Sequence, residues 1–336
     1  MGFNLSDGLE LQWQEETLPP IAHFCAWAMT ALCVLGAAGN LLSLRVFTRK
    51  GMIKMSINVL LAGLSAVDLC LLIVIFFVLV VPLFHPMDFY FVYMETTVTY
   101  GFPVLAWLQT SSVWILVVIT IERYLAVTKP LLVRVYCTQH RAKVALWLVV
   151  CGSTLFNAGK LFEVEIATVD ILSWIWLSLI ALSIYVVPLL LMGVFNTLVI
   201  VEIGRQKRLR RAITKREQRE QHTALMMLAV IGCFALCFLP GAAYCLLLLA
   251  YDLGGRGTFG VSAHHRDFLS RWAAINQVLM TLNSSSTCVL YLLFSSRYRH
   301  HAQVTLCRPC MGENSRSRLL SSSRRTTGDS ERVASV

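Results

Sequence analysis

Charge is scarce in this chain. Aspartate, glutamate, lysine and arginine make up 14% of its 336 residues against 57% hydrophobic, and the mean hydropathy is +0.65. That balance excludes an ordinary soluble domain of this size. The stretches 1–20, 83–97, 163–170 and 251–267 contain none of the eleven cysteines, so no disulfide framework can be drawn through them. The same stretches are almost free of basic residues: they hold two, Arg256 and Arg266, whereas 49–54, 127–140, 202–222 and 293–336 hold twenty-one. No segment shows the ten-residue alternation of a membrane barrel, which leaves helices as the spanning element. Met1–Pro20 lacks the basic start and apolar middle of a signal peptide, so the first apolar run is expected to direct insertion itself.

What is present is a series of long apolar runs. A helix needs about 20 apolar residues to cross a hydrocarbon core roughly 30 Å thick. Seven stretches qualify: 21–48, 55–82, 98–126, 140–162, 171–201, 222–250 and 268–292. The positive-inside bias puts the basic connections in the cytosol and the N-terminus outside. The expected fold is all-α, a bundle of seven transmembrane helices. The expected organisation is an extracellular segment 1–20, a membrane domain 21–300 and a disordered cytoplasmic tail 301–336, with a short amphipathic eighth helix. The net charge of +10 then belongs to a basic cytoplasmic face, and nucleic acid is not an expected partner.

Polar residues deep in a span carry the most information, because an ionisable group near the bilayer centre costs about 2.5–3.5 kcal/mol on insertion scales. Asn40, Asp68, Ser112, Asn283, Ser284 and Ser285 lie at depths that could meet inside one bundle. They form either a hydrogen-bonded knot that fixes helix packing or a pocket in which sodium or a proton sits against Asp68. The third run ends in Glu122-Arg123-Tyr124, and the sixth contains Phe234, Cys237, Phe238 and Pro240. A proline in a membrane helix frees a carbonyl and creates a kink. Asn4-Leu5-Ser6 is an N-glycosylation acceptor, and Cys307 and Cys310, shortly after the last span, are candidates for palmitoylation rather than metal ligation.

Gly39-Asn40, "LAGLSAVD" ending in Asp68, Glu122-Arg123-Tyr124, Trp147, Pro188 and "FALCFLP" (234–240) occur in order along the runs. This constellation resembles the rhodopsin-like G-protein-coupled receptors over roughly residues 21–300. The resemblance implies a plasma-membrane receptor that is not an enzyme and needs no cofactor, apart from a possible allosteric sodium ion near Asp68. Glu122 would hold Arg123 at rest, and outward movement of the sixth helix would free the arginine for a heterotrimeric G protein. Tyr124, Pro130, Leu131 and Tyr291 would join that coupling surface. Phe234, Cys237, Phe238, Pro240 and Pro188 would form the activation switch. Arrestin and receptor kinases would be further partners.

The sequence also departs from that pattern. Thr287 and Cys288 stand where the family's seventh span carries asparagine and proline, Val98 where the third span carries a disulfide cysteine, and Asn196 where the fifth span carries a tyrosine. Leu105 replaces the aspartate of amine receptors, and 268–292 contains no lysine for a retinal Schiff base. The outer surface is acidic (Asp88, Glu95, Glu163, Glu165, Asp170), which suits a cationic ligand. "NAGKLFEVE" (157–165) and "VFNTLVI" (194–200) are similar to invertebrate FMRFamide-type neuropeptide receptors, implying an extracellular peptide ending in arginine and amidated phenylalanine. Depth makes Leu105, Trp107, Gln109, Glu163, Tyr244 and Gln277 the candidate ligand-pocket residues. A transporter or channel would also explain Asp68, yet the inverted repeats and multiple embedded charges it requires are missing. A non-signalling receptor variant is the remaining reading.

Overall fold

The computed structural model describes residues 20–84, 97–163, 181–209, 232–247 and 263–307, together with 93, 178, 179 and 229. Asn4, Cys310 and the greater part of the expected tail lie outside that set, as do the side chains of Pro130, Leu131, Glu163 and Cys307. Each of the seven apolar runs contains described helix. The spans are Pro20–Phe47, Ser56–Ile75, Phe102–Thr128, Gln139–Glu163, Val187–Leu209, residues 232–247 and Ala263–Phe294. A short loop helix, Pro130–Tyr136, joins the third span to the fourth, and an eighth helix, Ser296–Cys307, follows the seventh span. No strand occurs among the described residues. Among the described residues five helices, including the extensions described below, are long and apolar enough to cross a bilayer, and Gly232–Leu247 is a shorter apolar helix.

Three spans are extended by a π-helical turn, and all three turns share one cause. Phe76–Val80, Thr97–Gly101 and Ala181–Val186 each end two residues before a proline, at Pro82, Pro103 and Pro188 respectively. A proline has no N–H and its ring crowds the preceding turn, so the helix widens just before it. The sixth span differs: its helix runs through Pro240 without such a turn.

The bundle is apolar on its outside. Trp147, Leu148, Leu155, Leu190, Leu236 and Leu246 are all well exposed, as they should be where lipid replaces water. Polar side chains gather inside. Many of the buried hydroxyls satisfy themselves on their own helix one turn back: Ser65 on Leu61, Thr110 on Ala106, Ser111 on Trp107, Thr120 on Leu116 and Thr281 on Gln277. Side chains that reach across helices instead are few, and they mark the sites described next.

Candidate functional site

The first and seventh spans approach closely because two glycines one turn apart face the seventh. A Cβ on Gly36 would lie 2.5 Å from Ser285 Oγ and 2.7 Å from Ser285 Cβ, and one on Gly39 would lie 2.8 Å from Cys288 Cβ. With the helices this near, side chains bridge them. Asn40 Nδ2 donates to the Gly36 and Ser284 carbonyls at 3.0 and 2.9 Å, and its Oδ1 accepts from Thr287 Oγ1 at 3.4 Å. Ser285 Oγ donates to the Leu32 carbonyl at 2.9 Å. Thr287, which departs from the family pattern, is therefore a partner of Asn40.

Asp68 is 1% exposed and accepts a 2.6 Å hydrogen bond from Ser112 Oγ on the third span, with Ser284 alongside. Asn283 is buried on the same seventh span. The polar residues singled out in the first, second, third and seventh spans thus meet in the bundle interior. Their functional groups are carboxylate, hydroxyl and amide, a set suited to a small hard cation rather than a soft metal.

Toward the end that carries the basic connections, Glu122 accepts a 2.7 Å hydrogen bond from Ser56 Oγ. Ser56 is free to reach it because it opens the second span, where Met55 supplies no side-chain cap. Among the described residues no ion pair within 4 Å joins Arg123 to a carboxylate, and its Nε is buried without a hydrogen-bond partner. Glu122 interacts electrostatically with the neighbouring Arg123, while Ser56 holds its Oε1. Tyr124 packs its ring against Phe195 of the fifth span, centroids 5.2 Å apart. Gln206 Nε2 donates to the Val127 carbonyl at 3.1 Å, which ties the fifth span to the end of the third. Pro130, with its preset φ at the first helical position, places itself and Leu131 on the first turn of the loop helix.

Beside this end, burial, with Glu122 as a further contribution, pushes the Cys137 thiol up from its ordinary value. Only the thiolate is nucleophilic, so a raised value means less of it at neutral pH. Alkylation of Cys137 is expected to be slower than that of an unperturbed thiol of about pKa 8.5, and to accelerate only at more alkaline pH. Maleimide labelling of a variant retaining Cys137 alone, followed from pH 7 to pH 10, checks this.

Phe234 and Phe238 are fully buried and stack with centroids 4.1 Å apart, and Phe238 also touches the ring of Tyr185 on the fifth span. Cys237 and Pro188 are buried nearby on the sixth and fifth spans. Trp272 Nε1 of the seventh span donates to the Pro240 carbonyl at 3.1 Å, a link between the sixth and seventh spans that sequence reasoning missed. Of the ligand-pocket candidates, Leu105 and Trp107 pack with Leu71, Leu72 and Ile75 between the second and third spans. Gln109 is buried, and its Nε2 and Trp107 Nε1 lack hydrogen-bond partners. Tyr244 and Gln277 are half-buried. Trp147, a motif residue, is 70% exposed on the outer surface of the bundle.

A second aromatic cluster was also missed. Tyr291, 1% exposed, packs against Phe47 and Tyr298 with centroids 5.4 and 5.6 Å away, and Phe47 and Tyr298 touch each other. The Tyr298 hydroxyl bonds Ser43 Oγ at 2.8 Å and Cys288 Sγ at 3.5 Å. Ser43 follows Asn40 by three residues and so shares its face, the one signal that would have pointed to it. Tyr291's own hydroxyl is buried without a partner, which costs about 1–3 kcal/mol for a neutral group.

The sequence profile described as 7 transmembrane receptor (rhodopsin family) matches residues 39–291. The chain is 30% identical over 314 residues to an FMRFamide peptide receptor of Caenorhabditis elegans, covering 85% of this chain and 69% of that protein. It is 28% identical over 304 residues to the FMRFamide receptor of Drosophila melanogaster, covering 82% of this chain and 52% of that protein, so it spans about half of that relative's length. Growth hormone secretagogue receptor type 1 of Mustela putorius furo is 23% identical over 327 residues, 85% of this chain and 82% of that protein.

Proposed function

The chain belongs to the rhodopsin family of seven-transmembrane receptors, and from that premise we propose that it is a plasma-membrane receptor for an extracellular FMRFamide-like peptide. Its N-terminus faces outward, and outward movement of the sixth span activates a heterotrimeric G protein. The similarity to FMRFamide receptors along 85% of the chain carries the peptide reading. Arg123 carries the coupling: a guanidinium at the inner end of the third span, with its Nε unpartnered, can donate to new carbonyl partners. Pro130, Leu131, Tyr124 and Tyr291 complete the coupling surface. The stacked Phe234 and Phe238, with Cys237, Pro240 and Pro188, form the switch. Gln109, Trp107, Leu105, Tyr244, Gln277 and Glu163 line the peptide's entry. A peptide that favours the active state shifts the population, whereas equal affinity for both states would shift nothing.

Cells displaying the chain, challenged with peptides ending in amidated phenylalanine, test the reading. Second-messenger or G-protein dissociation signals above those of untransfected cells are expected, and silence across the panel at confirmed surface display would refute it.

Sodium would be held by the Asp68 carboxylate and the Ser112 hydroxyl, with Ser284 and Asn283 opposite, supplying one positive charge that the resting arrangement needs and the active one expels. Replacing sodium with N-methylglucamine at constant ionic strength is expected to raise peptide affinity roughly fivefold or more, a coupling of ordinary allosteric size. Asp68→Ala is expected to lose that sensitivity. Equal sodium dependence in both proteins would argue against the site.

A further inference from the structure

The sixth span carries two thiols one helical turn apart, Cys233 and Cys237, which therefore share a face. Both are free; Cys237 is 2% exposed and Cys233 half-buried. Their side chains interact with each other, and Cys233 Sγ lies 3.3 Å from Ser286 Oγ on the seventh span. Ser286 is held there in turn, since its hydroxyl donates to the Asn283 carbonyl at 2.9 Å. Two sulfurs and a hydroxyl thus meet where the sixth and seventh spans pack.

Distances decide what such a pair can hold. Residues one turn apart on a helix keep their Cβ atoms about 5–6 Å apart, whereas a disulfide requires about 3.5–4.5 Å. An intact helix therefore keeps the pair reduced. A single metal atom joined to both sulfurs by bonds of about 2.3 Å, the length of a zinc–thiolate bond, spans the gap without moving the backbone. Zinc itself is a poor match, because it takes four ligands. Among the described residues no group of three or more His, Cys, Asp and Glu side chains could hold a metal. Copper(I) is soft, favours thiolates and is satisfied by two ligands. One proton leaves Cys233 as one monovalent cation enters, so no net charge is buried.

We propose that Cys233 and Cys237 form a copper(I) site, oriented by Ser286, that ties the sixth span to the seventh. Cys233 binds as the thiolate and Cys237 supplies the second sulfur. With the Cys233 proton gone, the Ser286 hydroxyl turns to donate to the thiolate, the outer partner that orients a metal ligand. The soft sulfur donors separate this site in chemistry from the carboxylate and hydroxyls around Asp68, which suit sodium.

The test titrates the purified full chain in nanodiscs with copper(I) against the colorimetric chelator bathocuproine disulfonate. A Cys307→Ser/Cys310→Ser background removes the pair after the last span. Cys233→Ala and Cys237→Ala are each expected to bind one equivalent fewer than that background and to lose its near-ultraviolet thiolate-to-copper absorption. Ser286→Ala is expected to keep the equivalent and bind it about tenfold more weakly or worse. Equal stoichiometry in the background and in Cys233→Ala overturns the site, and unchanged affinity in Ser286→Ala overturns its tie to the seventh span. If Cys237→Ala does not fold, Cys233→Ala decides. Peptide-driven nucleotide exchange is expected to fall with copper(I) in the background and not in Cys233→Ala; exchange indifferent to copper(I) in both overturns the tie. That last arm alone rests on the receptor reading. If no peptide drives exchange, that reading has failed and the titration still decides the site.

Discussion

Gly36→Leu is expected to abolish surface display, with the purified remainder melting several degrees lower. The physical cause is steric and local. A Cβ at this position comes within 2.7 Å of Ser285 Cβ, an atom fixed to the seventh span's backbone, and within 2.8 Å of Leu72 on the second span. Ser285 cannot rotate away without losing its bonds to the Leu32 and Thr281 carbonyls. The first and seventh spans must separate, and the Asn40 bonds to Ser284 and Thr287 stretch with them. Overpacking of a filled interior costs about 1–3 kcal/mol or more, and the broken bonds add about 1 kcal/mol each. Gly152→Ala is the matching control: no atom lies within 4 Å of a Cβ there, so its display and melting are expected to stay at or slightly above wild type. Equal display of Gly36→Leu and wild type would mean that the two spans do not pack as described.

Arg123→Ala is expected to reach the surface normally and lose peptide-driven signalling. Removing the side chain breaks no ion pair among the described residues, and the Glu122 bond to Ser56 stays in place, so folding is largely spared. What is lost is a charged donor for incoming carbonyls. Hydrogen bonds to charged groups are worth about 1.5–3 kcal/mol, so the loss of even one lowers activation roughly ten- to a hundredfold. Dose–response curves normalised to surface-labelled receptor provide the check. An unchanged curve would remove Arg123 from the coupling surface.

The spans were legible because hydropathy is a sum over about 20 residues, and one misplaced side chain barely alters it. Asn40, Asp68 and Ser112 were legible as polar residues in an apolar setting. Their partners were not, since the Asp68–Ser112 bond joins residues 44 apart in sequence and no local periodicity encodes it. Ser56 and Tyr298 carry no hydropathy signal: a serine at a helix start and a tyrosine in a basic helix look ordinary until the neighbouring spans are placed. Pro188 was picked out as part of the switch, while Pro82 and Pro103, each preceded by the same π-helical turn, were passed over. The Glu122–Arg123 expectation named both residues but could not show that Ser56, 66 residues earlier, also holds the acid.

Nucleotide exchange on a heterotrimeric G protein, with the purified full chain in lipid nanodiscs and FMRFamide as the probe, tests the receptor reading most directly. Peptide-dependent acceleration that disappears with Arg123→Ala is the predicted result. Exchange that stays at the rate of the G protein alone, at peptide concentrations far above those that activate any related receptor in the same assay, would contradict it.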